Sequence, residues 1–87
     1  VKVQVEMTIE DLVDGRRFDP CRCPVALATR RAIPDRPVNV YGDAIIIGGD
    51  EVRLPVVVQD FVARFDDDLG PDPISFEIEV SDSEAVL

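Results

Sequence analysis

The chain has 87 residues, with 18 acidic and 9 basic side chains, no histidine, a net charge of −9 and 46% hydrophobic residues. That length makes one domain, because two halves would each be too small to bury a stable core without metals or disulfides. The missing histidine excludes Ser-His-Asp and Cys-His catalysis and histidine-containing zinc sets. The acidity excludes duplex DNA as a partner, and no apolar run approaches the roughly 18 residues of a membrane span.

Val1, Val3, Val5 and Met7 alternate with Lys2, Gln4 and Glu6, the period of a strand with one buried and one wet face. This alternation is unlike a signal peptide, so a soluble, cytoplasmic protein is expected. Thr8 as N-cap, acids in the first turn and Gly15 at the end predict a short helix with Ile9, Leu12 and Val13 as its apolar stripe. A loop over 16–20 leads to a second helix, with Cys23 at the cap and Pro24 as its first residue, where the missing N–H is harmless. Val25, Ala28 and Ala32 share a face with Leu27 beside it, Arg30 and Arg31 fill the last turn, and Ile33-Pro34 ends the helix. Val38–Tyr41, Ala44–Ile47 and Val52–Leu54 read as short strands, with Gly48-Gly49 as a hairpin turn. Pro55 opens a third helix, whose stripe is Leu54, Val57, Val58, Phe61, Val62 and Phe65. Valines are poor intrinsic helix formers, so burial of that stripe must decide for helix. The helix ends near Phe65, before Asp66 to Asp68. Ile74, Phe76, Ile78 and Val80 then alternate with polar residues as a last strand, and residues 81–87 read as a frayed acidic tail.

The order β-α-α-β-β-β-α-β predicts a two-layer α+β domain over 1–80, with three helices and a mostly antiparallel sheet of four to five strands. Strand order is not readable from the sequence.

The charge is unevenly placed. Six of the nine basic residues lie between positions 16 and 36, opposed only by Asp19 and Asp35, so that segment is +4 and the remainder −13. Eight of the nine are arginine, whose planar fork suits phosphate and carboxylate. Arg16, Arg17, Arg22 and Cys23 bracket the start of the Pro24 helix, where the dipole and unpaired amides favour an anion; these four are the candidate ligand-binding residues. Arg30 and Arg31, at the other end of that helix, have a structural reason to be there. Simple neutralisation of the acidic body is the competing reading for all six arginines.

Cys21 and Cys23 supply half of a four-cysteine zinc site. Packing and helix capping suit them, with redox or metal roles as the alternative. Asp66, Asp67, Asp68 and Asp72 lack EF-hand spacing and read as a solvated loop, so no metal, no cofactor and no catalytic residue is expected. Only a carboxylate and metal hydrolase would remain as an enzyme.

The run Asp19-Pro20-Cys21-Arg22-Cys23-Pro24-Val25-Ala26-Leu27-Ala28, with Leu54-Pro55, the Phe61 to Asp66 helix end and Phe76-Glu77, resembles a family of small bacteriophage and actinobacterial proteins that carry a Cys-Pro-Val-Ala-Leu-Ala helix. The resemblance spans most of residues 7–80. It carries over no catalytic activity and implies a binder that blocks or sequesters a host component. The expectation is therefore a non-catalytic protein, able to form homo-oligomers, that captures a small anionic ligand such as a nucleotide immune signal in the host cytoplasm. The alternative is an acidic interaction inhibitor or nucleic-acid mimic that docks a basic host protein through Asp66 to Asp72, Glu77, Glu79, Asp82 and Glu84.

Overall fold

A computed structural model describes residues 2–80. The acidic tail over 81–87, with Asp82 and Glu84, lies outside the described residues, as does Val1.

The chain is an α+β domain with the expected element order. Strand β1 (Lys2–Glu6) pairs antiparallel with β5 (Ser75–Glu79), and β2 (Val38–Tyr41), β3 (Ala44–Ile47) and β4 (Asp50–Arg53) form a separate antiparallel meander. Both registers follow from alternation. Val3 faces Ile78 and Val5 faces Phe76 on the inner side, while Gln4 and Glu77 face each other on the outer one. In the meander Val40, Ile45 and Val52 form one inward row. Gly48 and Gly49, at φ +58 and +93, make the β3–β4 turn, since two successive left-handed residues match the twist of a hairpin. Helix α2 (Pro24–Ala32) packs on both β1 and β2 and so joins the two sheets. Helix α3 (Val56–Asp66) buries Val58, Phe61 and Val62 in the same core, which also holds Val5, Val25, Ile45 and Ile47.

Helix α1 (Ile9–Asp14) differs from its reading as an apolar stripe. Ile9 and Val13 are exposed, Leu12 is half-buried, and the one buried residue is Asp11, at 4% exposure. Asp11 closes a capping box with Thr8 and takes both arms of the Arg31 guanidinium, at 2.9 and 2.7 Å. Arg31 also donates to the Glu6 carbonyl at 2.7 Å, so one side chain ties α1, α2 and the end of β1 together. A six-residue helix has little stability of its own, and the ion pair sets which face turns inward. Ala32 and Val57 are likewise exposed where periodicity placed them on the buried face, and Thr29 is buried in α2 instead. Pro55 caps α3 as the residue before its first turn. Among the described residues no helix is long and apolar enough to cross a membrane.

Candidate ligand-binding site

The segment from Gly15 to Cys23 links α1 to α2 and carries all four predicted site residues in a tightly held loop. A Cβ at Gly15 would lie 2.6 Å from Pro24 Cγ and Cδ and 2.7 Å from the Asp11 carbonyl oxygen, so glycine lets the loop leave α1 pressed on the start of α2. Arg16 N–H donates to the Arg22 carbonyl at 2.8 Å, closing the loop on itself. The Asp19 carboxylate accepts from the amides of Cys21 and Arg22 at 3.0 and 3.1 Å, the local bonding by which aspartate stabilises a turn. Val40 N–H donates to the Pro20 carbonyl at 2.9 Å, which fixes the loop to the free edge of β2. Cys21 Sγ donates to Asn39 Oδ1 at 2.9 Å, and the Arg30 guanidinium donates to the Cys21 carbonyl.

Phe18 projects from this loop. It is 76% exposed and sits at φ +59, a left-handed conformation that crowds the Cβ of any L-residue and is rare for a bulky one. Its amide donates to Asp66 Oδ1 at 3.0 Å, from the end of α3, and this bond holds the strained residue in place. Phe18 separates two grooves. The larger, about 670 Å³, is lined by Leu12, Arg16, Arg17, Phe18, Phe65 and Asp68; the smaller, about 180 Å³, by Phe18, Asp19, Cys23, Val40, Val62 and Asp66 among others.

The four predicted residues divide between these places. Arg16 and Arg17 line the larger groove, Cys23 lines the smaller one, and Arg22 lines neither. The start of α2 directs its donors inward. Pro24 has no N–H, Ala26 N–H donates to Cys23 Sγ at 3.4 Å, and Leu27 N–H donates to the Cys23 carbonyl at 3.0 Å. Cys23 is buried, and burial pushes its thiol above the usual range against the pull of the Ala26 and Val25 amides, so it is a neutral cap at physiological pH. Cys21 and Cys23 are both free thiols. Arg31 serves Asp11 and Arg64 pairs with Asp60 at 3.0 Å, so neutralisation accounts for part of the arginine set. Arg17 stands 3.9 Å from an exposed Asp68, and Arg16 has no acidic partner within 4.0 Å among the described residues.

The acidic run 66–68 bonds to the loop: Asp66 takes the Phe18 amide and Asp68 faces Arg17. Among the described residues no group of three or more Cys, Asp or Glu side chains is placed to hold a metal. Sequence reading missed Phe18 and treated Phe65 as plain core, although Phe65 is half-buried and its edge lines the larger groove. The one signal for Phe18 is an aromatic between Arg16-Arg17 and Asp19 in a segment with no strand or helix period.

No protein-family model matches the chain, and no curated protein or solved structure is significantly similar to it.

Proposed function

We propose that this is a small non-catalytic binding protein that captures an anionic ligand bearing a planar ring, of the nucleotide class, in the groove of Arg16, Arg17, Phe18 and Phe65. The observation that carries the reading is the meeting of two guanidiniums and two phenyl rings on one groove. Guanidinium forks take phosphate oxygens in pairs, and aromatic faces take bases without regard to sequence. The loop is braced before any ligand arrives, so little ordering entropy opposes binding. Asp68 is a weak competitor for Arg17, because an exposed pair at 3.9 Å contributes at most about 1 kcal/mol. Net acidity does not oppose a small ligand, since charges are screened over about 8 Å at physiological salt. Arg22 and Cys23, placed in the same site from the sequence, act in this reading through the backbone of the loop. The resemblance to small phage proteins agrees with sequestration of a host nucleotide signal.

Titration calorimetry against a panel of mononucleotides and cyclic dinucleotides, with native mass spectrometry of the purified protein, tests the proposal. A member of the panel should bind, and the Arg16→Ala/Arg17→Ala variant should lose at least about tenfold in affinity. Silence across the panel, or binding that survives the double variant, overturns it. The alternative, an acidic surface that docks a basic host protein, is favoured by the outward carboxylates Glu6 and Glu77 on the β1–β5 pair, where Lys2 stands opposite Glu79. Such docking should weaken with salt and with Glu77→Gln, and salt-independent binding counts against it.

A further inference from the structure

The loop that carries Arg16, Arg17 and Phe18 differs in the sign of its charge from a third groove. That groove, about 280 Å³, lies between α3 and the segment before β5 and is lined by Val57, Phe61, Leu69 and Ile74, with Asp60 and Asp72 at its rim. Val57 and Leu69 are each more than half exposed, so the groove presents apolar surface to water. A cavity of about 150 Å³ suffices for a benzene ring, so a phenyl side chain fits with room for its stem. The fold holds Phe18 out in water in a strained conformation, with Arg16 and Arg17 before it. The rim charge is of opposite sign: Arg64 is answered by Asp60 at 3.0 Å, which leaves Asp72 without an ion-pair partner among the described residues. Gly70 lines both this groove and the Arg16–Arg17 groove beside Phe18, so the two grooves adjoin.

We infer that the occupant of the groove is a second copy of this chain, with Phe18 of each copy seated among Val57, Phe61, Leu69 and Ile74 of the other. Adjacent knob and hole are what a two-fold axis needs: each copy gives and receives the same contact, and the assembly closes at two. The aromatic anchor is the residue type that dominates such interfaces, and the flanking Arg16 and Arg17 meet the acidic rim in trans. The inference does not depend on the nucleotide reading, and its assay contains no ligand.

Sedimentation velocity of the full chain, from low micromolar to several hundred micromolar, should show a reversible monomer–dimer equilibrium. It should weaken as salt rises from about 0.1 M to about 1 M, where the screening length falls from about 10 to about 3 Å. Phe18→Asp and Val57→Asp should each weaken dimerisation by at least about 30-fold, because each removes or charges both symmetric contacts. Both variants should fold: aspartate tolerates the left-handed conformation better than phenylalanine, and position 57 lies in the first turn of α3, where an acid is favoured. Mixing the two variants restores one intact knob and hole, so the mixture should associate more tightly than either alone. A monomer at all concentrations, or a dimer that Phe18→Asp leaves unchanged, overturns the inference.

Discussion

Replacing Arg31 with alanine removes both guanidinium bonds from the Asp11 carboxylate, which keeps its contact with Thr8, whose amide donates at 2.9 Å. The two partners are unequally wet: the Arg31 side chain is 50% exposed and that of Asp11 6%. An exposed pair contributes at most about 1 kcal/mol, and breaking a fully buried one costs about 3–5. The half-wet geometry, with two charge-assisted bonds and the added bond to Glu6, places Arg31→Ala between these, at about 2–3 kcal/mol. Asp11→Asn should cost less, about 1–2 kcal/mol, because the arginine it abandons can hydrate whereas an abandoned Asp11 cannot. The double variant should cost less than the two singles added together, since the charge that makes each single expensive is gone. Urea denaturation at constant m measures all three, and for a domain of this size each kcal/mol should move Tm by about 4–8 °C.

The same pair makes a pH prediction. The Arg31 hydrogen bonds hold the Asp11 carboxyl below its ordinary value of 3.8, against burial, which pushes it up. A depressed carboxylate contributes stability that is fully present above the unfolded value and is lost as pH falls through the folded one. Stability should therefore decline below about pH 4, and Arg31→Ala should flatten that decline. A cost under about 0.5 kcal/mol for Arg31→Ala, or strict additivity in the double variant, refutes the argument.

Four further outcomes follow from single sites. The Thr29 hydroxyl is fully buried with no hydrogen-bond partner among the described residues, so Thr29→Val should raise stability by about 1 kcal/mol in thermal melts, and a loss would mean that the hydroxyl is bonded. Gly15→Ala should destabilise by about 1–3 kcal/mol in urea, because its Cβ meets Pro24 and the Asp11 carbonyl, even though the glycine's φ of −71° suits alanine; a neutral result would mean that α2 can retreat. A thiol reagent should label Cys21 at once and Cys23 only on unfolding, and equal rates in the native protein would refute the buried neutral cap. Since Arg16 and Arg17 serve both the proposed ligand and the proposed dimer, a saturating nucleotide should shift sedimentation toward monomer, and dimerisation should weaken the nucleotide by the same factor; a dimer untouched by ligand would separate the two sites.

The elements with local codes were legible. Thr8 and Cys23 cap where a hydroxyl and a thiol can reach the third amide, Pro24 begins α2, and the alternation of β1 and β5 is the alternation of their buried faces. What failed is which face of a short helix turns inward. Ile9, Leu12 and Val13 satisfy helical spacing, yet α1 is docked by a carboxylate whose partner lies 20 residues away, and no periodicity announces that. The division of five strands into two sheets was equally hidden, because it depends on α2 standing against both β1 and β2.

The +4 segment shows why charge counting located a region and not a site. Its arginines diverge in space: Arg31 goes to Asp11, Arg30 to the Cys21 carbonyl, and Arg16 and Arg17 line a common groove. The helix terminus expected to supply amide donors is closed by Cys23 and by a proline without an N–H, while Asp19, a formal opponent of the arginines, takes the two loop amides just before it. The aromatic component became visible only with the backbone. A phenylalanine next to two arginines is an ordinary tripeptide, but here Phe18 stands at φ +59, braced by Asp66, with its ring exposed. Composition would bury that ring; a long-range bond to a neighbouring helix holds its backbone so that it stays in water, where a ligand or a second protein surface can cover it.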